Sequence, residues 1–137
     1  MDIDQVKNGF LTQKIALSNF GEAIDRQTLT ELWVDIEEDE ATIRELVDLF
    51  LEDATRQIIN AKLSFVRGDH QELGRIAHTL KSSSLYYGAK NLSMVCRDLE
   101  TICDNGQVPH TDLLVTEMEK EFELVKDALQ SMVVQCD

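Results

Sequence analysis

His78 is the residue of this sequence best suited to covalent chemistry, because a histidine ring is largely uncharged at pH 7 and keeps one nitrogen free as a nucleophile. The stretch from Asn60 to Arg97 around it holds six basic residues, among them Arg75, Lys81 and Lys90, and two acidic ones, in a chain of formal net charge -13. Such a setting favours an anion on the histidine or a partner protein with an acidic pocket.

The segment that contains His78 is predicted to be an amphipathic helix from Asp69 to about Tyr86, closed by Gly88. Its apolar face follows spacings of three and four, and its members are Leu73, Ile76, Ala77, Leu80, Ser84 and Tyr87. On a helical wheel, His78 lies outside this face together with Ser82. We therefore expect the imidazole to face solvent.

The same apolar spacing predicts helices along most of the chain, and no alternating pattern typical of strands interrupts it. The other predicted helices are Val6 to Asn19, a short helix from Thr28, about Asp39 to Arg67, Ala89 to Cys103, and Pro109 or Thr111 to about Val134.

Cap residues mark two of the helix boundaries. Thr28 and Glu31 have the spacing of a capping box, and so do Asp69 and Glu72 directly after Gly68. The turn at Gly68 is short enough to make the flanking helices antiparallel neighbours.

Long helices with short connections favour an all-α fold, an up-down antiparallel four-helix bundle with additional N-terminal helices packed at one end. We expect one domain over residues 1–137, with an N-terminal helical extension at 1–27 and a helical core at 28–134.

The composition narrows the partners and the compartment. The net charge of -13 makes nucleic acid and anionic membranes unfavourable partners. The sequence has no apolar run of membrane-spanning length, and its start does not resemble a signal peptide. We therefore expect a cytoplasmic protein whose partners are proteins or small molecules.

Metal and thiol chemistry are not favoured. A di-metal centre in a helical bundle needs Glu three residues before His, whereas Arg67, Arg75 and Gln107 precede the three histidines. The cysteines, which are Cys96, Cys103 and Cys136, have no metal-ligand spacing, and the first two share a face with apolar residues. We expect no metal site and reduced cysteines.

The residues around His78 resemble the histidine phosphotransfer (HPt) family. The resemblance lies in Ala77-His78-Thr79-Leu80-Lys81-Ser82-Ser83-Ser84, then Gly88-Ala89, then Leu92, Cys96, Leu99 and Glu100, with Leu49 to Asp53 and Gly68-Asp69 upstream. It covers roughly residues 28 to 106.

The resemblance implies a four-helix bundle with an exposed phosphoacceptor histidine, here His78. That residue would take a phosphoryl group from an aspartate of one receiver domain and pass it to another. Lys81 matches the lysine that neutralises the phosphoryl oxygens, and Ser83 matches a small polar position. No nucleotide-binding motif is present, so we expect a carrier and not an enzyme with kinase activity.

The partners implied are receiver domains of hybrid sensor histidine kinases and of response regulators. Mg²⁺ is expected on the receiver, and the carrier needs no cofactor of its own. Arg75, Ser82, Ser83 and Lys90 are expected to contact the receiver, apolar residues of the helix predicted at 39–67 to complete that surface, and Tyr86 to lie at its rim.

Two features leave alternatives open. The family usually has Gly four residues after the histidine, where this chain has Ser82, so a module that docks receivers without carrying phosphate is the alternative function. The chain could also be a domain of a hybrid kinase; the initial Met1 and the absence of a linker-like terminus favour a free-standing protein. We expect this protein to be a monomer.

Overall fold

The computed structural model describes residues 23–35, 40–106 and 110–135, and every regular element in these ranges is a helix. The helices are α1 (Arg26–Asp35), α2 (Glu40–Arg67), α3 (His70–Tyr86), α4 (Lys90–Asp104) and α5 (Thr111–Gln135). The predicted all-α class is therefore confirmed. The predicted helix from Val6 to Asn19 and the candidate start at Pro109 lie outside the described residues.

The boundary predicted at Thr28 is wrong by two residues, because α1 begins at Arg26. Asp25 acts as its cap: one carboxylate oxygen accepts a hydrogen bond from the Gln27 backbone N–H at 3.0 Å. The other oxygen accepts the Thr28 hydroxyl hydrogen at 3.3 Å. Thr28 therefore lies within the first turn, where its side chain supports the cap instead of forming it.

The four long helices contact one another in a closed order: α3 packs against α2 and α4, and α5 packs against α2 and α4. Apolar side chains from all four fill the space between them, with Leu73, Leu92, Met118 and Phe122 among the largest fully buried. The apolar face predicted for the His78 helix is confirmed, since Leu73, Ile76, Ala77, Leu80, Ser84 and Tyr87 are all buried. No helix in the described ranges has the length and apolar content to cross a membrane.

At the turn between α2 and α3, the predicted capping box of Asp69 and Glu72 is confirmed only in part. Asp69 caps α3, and its carboxylate accepts a hydrogen bond from the Glu72 N–H at 3.1 Å. The reciprocal bond is absent, because the Asp69 N–H donates to the Ser64 carbonyl at 2.8 Å. The Glu72 carboxylate instead accepts two hydrogen bonds from Arg75, at 2.6 and 2.9 Å.

The turn between α3 and α4 also holds α1. Gly88 adopts a φ of +78°, and its carbonyl accepts a hydrogen bond from the Asp25 N–H at 2.6 Å. Lys90 forms an ion pair with the Asp25 carboxylate. On the opposite side, Tyr87 stacks on Phe50 with ring centroids 4.4 Å apart. The end of the His78 helix is thus anchored to both α1 and α2.

Gly88→Ala is expected to destabilise the protein more than Gly68→Ala. Both glycines have a left-handed φ, which costs a non-glycine residue about 1–2 kcal/mol. A β-carbon at Gly88 would also lie 2.7 Å from the Asp25 carbonyl oxygen, whereas one at Gly68 meets no atom within 4 Å. Urea unfolding should give losses of about 1 kcal/mol at Gly68 and about 3 kcal/mol or more at Gly88. Equal losses would contradict this packing.

Candidate functional site

Helix α3 presents His78 on the outside of the molecule, as its position off the apolar face predicted. The histidine side chain is 62% exposed. Lys81 follows three residues later, nearly one helical turn along, and its side chain is 30% exposed. Both side chains point to the neighbouring helix α4, where they meet a common partner.

That partner is Glu100 of α4. One of its carboxylate oxygens lies 2.7 Å from the His78 Nδ1, and the other accepts a hydrogen bond from the Lys81 Nζ at 2.8 Å. The carboxylate is only 20% exposed, so solvent screens these contacts less than a fully exposed pair. The three side chains form a cluster, Lys81-Glu100-His78, in which the carboxylate holds the other two in place.

The contact with Glu100 determines which nitrogen of His78 is free. A carboxylate can only accept, so Nδ1 must carry the proton that is donated to Glu100. In the neutral ring Nε2 then keeps its lone pair. This exposed imidazole therefore offers Nε2 as a nucleophile while Glu100 orients the ring.

Helix α4 lies close to α3 on both sides of the cluster. A β-carbon on Gly74 would lie 3.0 Å from the Cys103 β-carbon, so the absence of a side chain at Gly74 allows this approach. Toward the other end, the Ser93 hydroxyl donates to the Lys81 carbonyl at 2.9 Å. Glu100 lies between these contacts, close enough for a short glutamate side chain to reach His78.

The charges of the cluster favour an ionised Glu100. The hydrogen bond from Lys81 has the largest effect, and together with the weaker contribution of His78 it keeps the pKa of this carboxyl below its usual value despite the opposing effect of partial burial. Because the Lys81 ammonium group is paired with the Glu100 carboxylate, the lysine side chain is held beside His78 and does not extend into solvent.

The other residues predicted for the site have varied surroundings. Ser82 is exposed, whereas the Ser83 hydroxyl turns back to the Thr79 carbonyl of its own helix at 3.2 Å. Arg75 is paired with Glu72, and Lys90 with Asp25. The positive charge seen in the sequence is thus largely compensated by nearby carboxylates.

Glu100 is the residue of this candidate site to which the sequence analysis gave no role. It was noted only as part of the family pattern. Its position could have been inferred from the hairpin, because His78 and Glu100 each lie eleven residues from Ala89, next to the turn. Antiparallel helices joined by a tight turn bring such equidistant positions together.

Other chemistry is not supported in the part of the chain that is described. Cys96 is fully buried, and burial raises the pKa of its thiol to about 12, so it remains an unreactive thiol. Cys103 is partly buried, in keeping with the predicted core role of both cysteines. Within the described ranges, no group of three or more potential ligands is arranged to hold a metal ion.

Comparisons with known proteins agree with this geometry. A family model described as the Hpt domain matches residues 45–131, which is more than half of the chain. The structure of histidine-containing phosphotransfer protein B from Pseudomonas aeruginosa PAO1 aligns with a TM-score of 0.75 and 27% identity, over 82% of this chain and 96% of that chain.

A second solved structure shares the fold. A rice protein, described as a candidate histidine-containing phosphotransfer protein, aligns with a TM-score of 0.69 and 19% identity, over 98% of this chain and 96% of that one. A search of curated proteins finds no match.

Glu100→Ala is expected to change the tautomer of His78. In the wild type, ¹⁵N NMR of the imidazole should show a protonated Nδ1 and a free Nε2 at pH 8, because the carboxylate accepts the Nδ1 proton. Without this acceptor, both tautomers should be populated. Glu119→Ala is the matched control, since Glu119 forms an equally short ion pair with Lys62. A wild-type ring already protonated at Nε2 would contradict the assignment.

Glu100 should also contribute to stability in a pH-dependent way. Its pKa is lowered below 4.5 in the folded protein, so its contribution is present above pH 4.5 and is lost as the pH falls through the lowered value. The difference in urea-unfolding stability between the wild type and Glu100→Gln should therefore shrink as the pH falls from about 5 to about 3. A difference that grows on acidification would contradict this sign.

Proposed function

The chain belongs to the Hpt domain family, and we propose that His78 is the residue on which it carries a phosphoryl group. It is a histidine phosphotransfer protein of phosphorelays. The observation that carries the assignment of His78 is its exposed ring, whose Nδ1 contacts Glu100 at 2.7 Å and whose Nε2 is left free.

The proposed reaction begins at an aspartyl phosphate of a receiver domain. The Nε2 lone pair of His78 attacks phosphorus, the N–P bond forms, and the P–O bond to the acyl oxygen breaks with its electron pair returning to the aspartate carboxylate. Transfer to a second receiver reverses these changes, and the N–P electron pair returns to Nε2.

Glu100 has an electrostatic role in this reaction. Because Nδ1 keeps its proton during the attack, the ring becomes a cation, and the adjacent carboxylate offsets this charge. The contact also fixes the ring orientation, so that little freedom is lost when the partner docks. Glu100 is thus a positioning residue and a charge partner for the ring.

Lys81 is the candidate for neutralising the phosphoryl oxygens. Its ammonium group is held beside His78 by Glu100 and bears three donors, so it can contact a phosphoryl group while it still faces the carboxylate. Such an interaction strengthens as negative charge arrives at Nε2.

The chain acts as a carrier, with no kinase activity of its own. Phosphoryl transfer needs orientation and charge neutralisation, and Mg²⁺ on the receiver domain supplies part of the latter. Its partners are receiver domains of hybrid sensor histidine kinases and response regulators. Ser82 sits on the exposed face of α3 four residues after His78, where its hydroxymethyl group would contact the receiver.

We further infer how the helices are arranged in the fold that presents His78. The short turns and the closed order of contacts among α2, α3, α4 and α5 favour an up-down antiparallel four-helix bundle. A single domain, acting as a monomer in the cytoplasm, is the simplest setting for a carrier that meets several receivers.

His78→Gln is expected to abolish phosphoryl transfer. The wild type, incubated with receiver domains labelled with ³²P, should acquire label that is acid-labile and alkali-stable, as expected for an N–P bond. Lys81→Ala should keep His78-dependent labelling but slow it about 10- to 100-fold, because charge neutralisation is lost. Rates are measured by rapid quenching.

The matched control is His70→Gln, which removes the histidine at the start of the same helix. It should be labelled like the wild type. Label that survives in His78→Gln would move the acceptor elsewhere. Receiver binding without any label on the wild type would favour the alternative function, a docking module that carries no phosphate.

A further inference from the structure

A groove runs along the outside of the molecule between α4 and α5, away from His78. At one end it forms a pocket of about 450 Å³, lined by Asp98, Thr101, Ile102, His110, Leu113 and Leu114. The Leu113 side chain is 61% exposed. His78 contacts the other flank of α4 through Glu100, so the groove and the candidate phosphorylation site are separate.

Four residues of α5 lie on the flank of this helix that faces the groove, at intervals of four, four and three residues. They are Leu113, Glu117, Glu121 and Leu124. The other flank of α5 faces α2, because Glu119 pairs with Lys62 of that helix. Leu124 is 44% exposed, so the groove has an exposed leucine near each end and two carboxyl groups between them.

The two carboxyl groups in the groove are incompletely compensated. Burial has the largest effect on Glu121, and together with the negative charge of Glu117 it raises the pKa of the Glu121 carboxyl, which Lys120 offsets only in part. One carboxyl oxygen of Glu121 is buried and has no hydrogen-bond partner among the described residues. A cationic side chain entering the groove at this point would be stabilised.

The first 22 residues of the chain, which lie outside the described residues, contain a segment of matching chemistry. The amphipathic helix predicted from Val6 to Asn19 has Val6, Phe10 and Leu17 on one face, with Lys14 at the edge of that face. An amphipathic helix of this kind buries its apolar face in a groove between two other helices.

The spacing of this segment repeats the spacing along α5. In the segment, two apolar residues and the lysine between them follow one another at intervals of eight and three residues: Val6, Lys14 and Leu17. In α5, two exposed leucines and the carboxyl group between them have the same intervals: Leu113, Glu121 and Leu124. A helix lying parallel to α5 would therefore place apolar residues on leucines and the lysine on the carboxyl group.

The described chain begins beside this groove. Ile24 and Asp25 line a pocket together with Asn91 and Met94 of α4. From Asn91 to Ile102, α4 extends for about 16 Å, and a helix of residues 6–19 is about 21 Å long. The three residues that join this segment to Ala23 span up to about 10 Å. The segment is therefore long enough to cover the whole groove.

We propose that residues 6–19 bind in the α4–α5 groove as an amphipathic helix. The apolar residues of the segment cover the two exposed leucines, and Lys14 faces Glu117 and Glu121. Because the segment belongs to the same chain, its effective concentration at the groove is high, and modest contacts are sufficient. The bound segment stabilises α4 from the outside, and α4 is the helix whose Glu100 contacts His78.

The competing apolar surface lies on the outer side of α2. Ile59, Leu63 and Val66 are exposed there at helical spacing. From residue 54 to residue 67, however, the charged residues are all basic, and they are Arg56, Lys62 and Arg67. This part of α2 therefore offers no carboxylate to Lys14, and the charges favour the α4–α5 groove.

Chemical cross-linking of the full chain tests where the segment binds. Leu17→Cys combined with Leu124→Cys should be joined within one chain by a short bismaleimide. The background carries Cys103→Ser and Cys136→Ser, which leaves the buried Cys96. The matched control combines Leu17→Cys with Leu63→Cys, a leucine of α2 with similar exposure. Mass spectrometry should find the link to position 124 about tenfold more often than the link to position 63.

A charge reversal tests the contact of Lys14. Lys14→Glu should lower the urea midpoint of unfolding, because it adds a negative charge beside Glu117 and Glu121. Adding Glu121→Lys should recover about half of this loss or more, since opposite charges again face each other. Thr12→Glu is the control, because Thr12 lies on the opposite side of the predicted helix and its effect should not respond to Glu121→Lys.

Three results would overturn the proposal. Leu17→Cys could link to neither position, or equally to both. It could link only between two chains, which would assign the groove to a second copy of the protein. Finally, Glu121→Lys could fail to recover any stability lost in Lys14→Glu. The His78-dependent label is measured on the same variants and should equal that of the wild type, so that failure here is distinguished from failure of the proposed function.

Discussion

The site depends on the contacts that the Glu100 carboxylate makes with His78 and Lys81. The carboxylate contacts His78 at 2.7 Å and Lys81 at 2.8 Å, and it joins two helices at the point where chemistry would occur. An exposed imidazole would otherwise rotate freely and exchange its proton between two nitrogens. The contact between Nδ1 and the Glu100 carboxylate prevents both the rotation and the proton exchange, and it leaves Nε2 unprotonated.

This contact requires a close approach of α3 and α4, which the core and the turns supply. Gly74 has no side chain where Cys103 approaches, Ser93 bonds the Lys81 carbonyl, and Gly88 reverses the chain in a left-handed conformation. The hairpin is held further by α1 through Asp25. A histidine that must stay accessible to a partner is thus ordered by its neighbours and not by burial.

Much of this could be predicted from the sequence because it depends on local patterns. The apolar spacing from Leu73 to Tyr87 places His78 outside the core, and Gly68 and Asp69 mark a turn. The role of Glu100 was not predicted, because it follows from which positions the α3–α4 hairpin brings together and not from a local pattern within one helix. Likewise Asp25 displaced the expected cap at Thr28, and the cations Arg75 and Lys90 proved to be paired with carboxylates.

The most direct test of the account is the bond that the phosphoryl group forms. The protein labelled with ¹⁵N in its histidine rings and phosphorylated by a receiver domain should show ³¹P–¹⁵N coupling to Nε2 of His78, while Nδ1 keeps its proton. This result would connect the Glu100 contact to the site of phosphorylation. Coupling to Nδ1, or to another residue, would contradict the account, because Nδ1 is the nitrogen that donates its proton to Glu100.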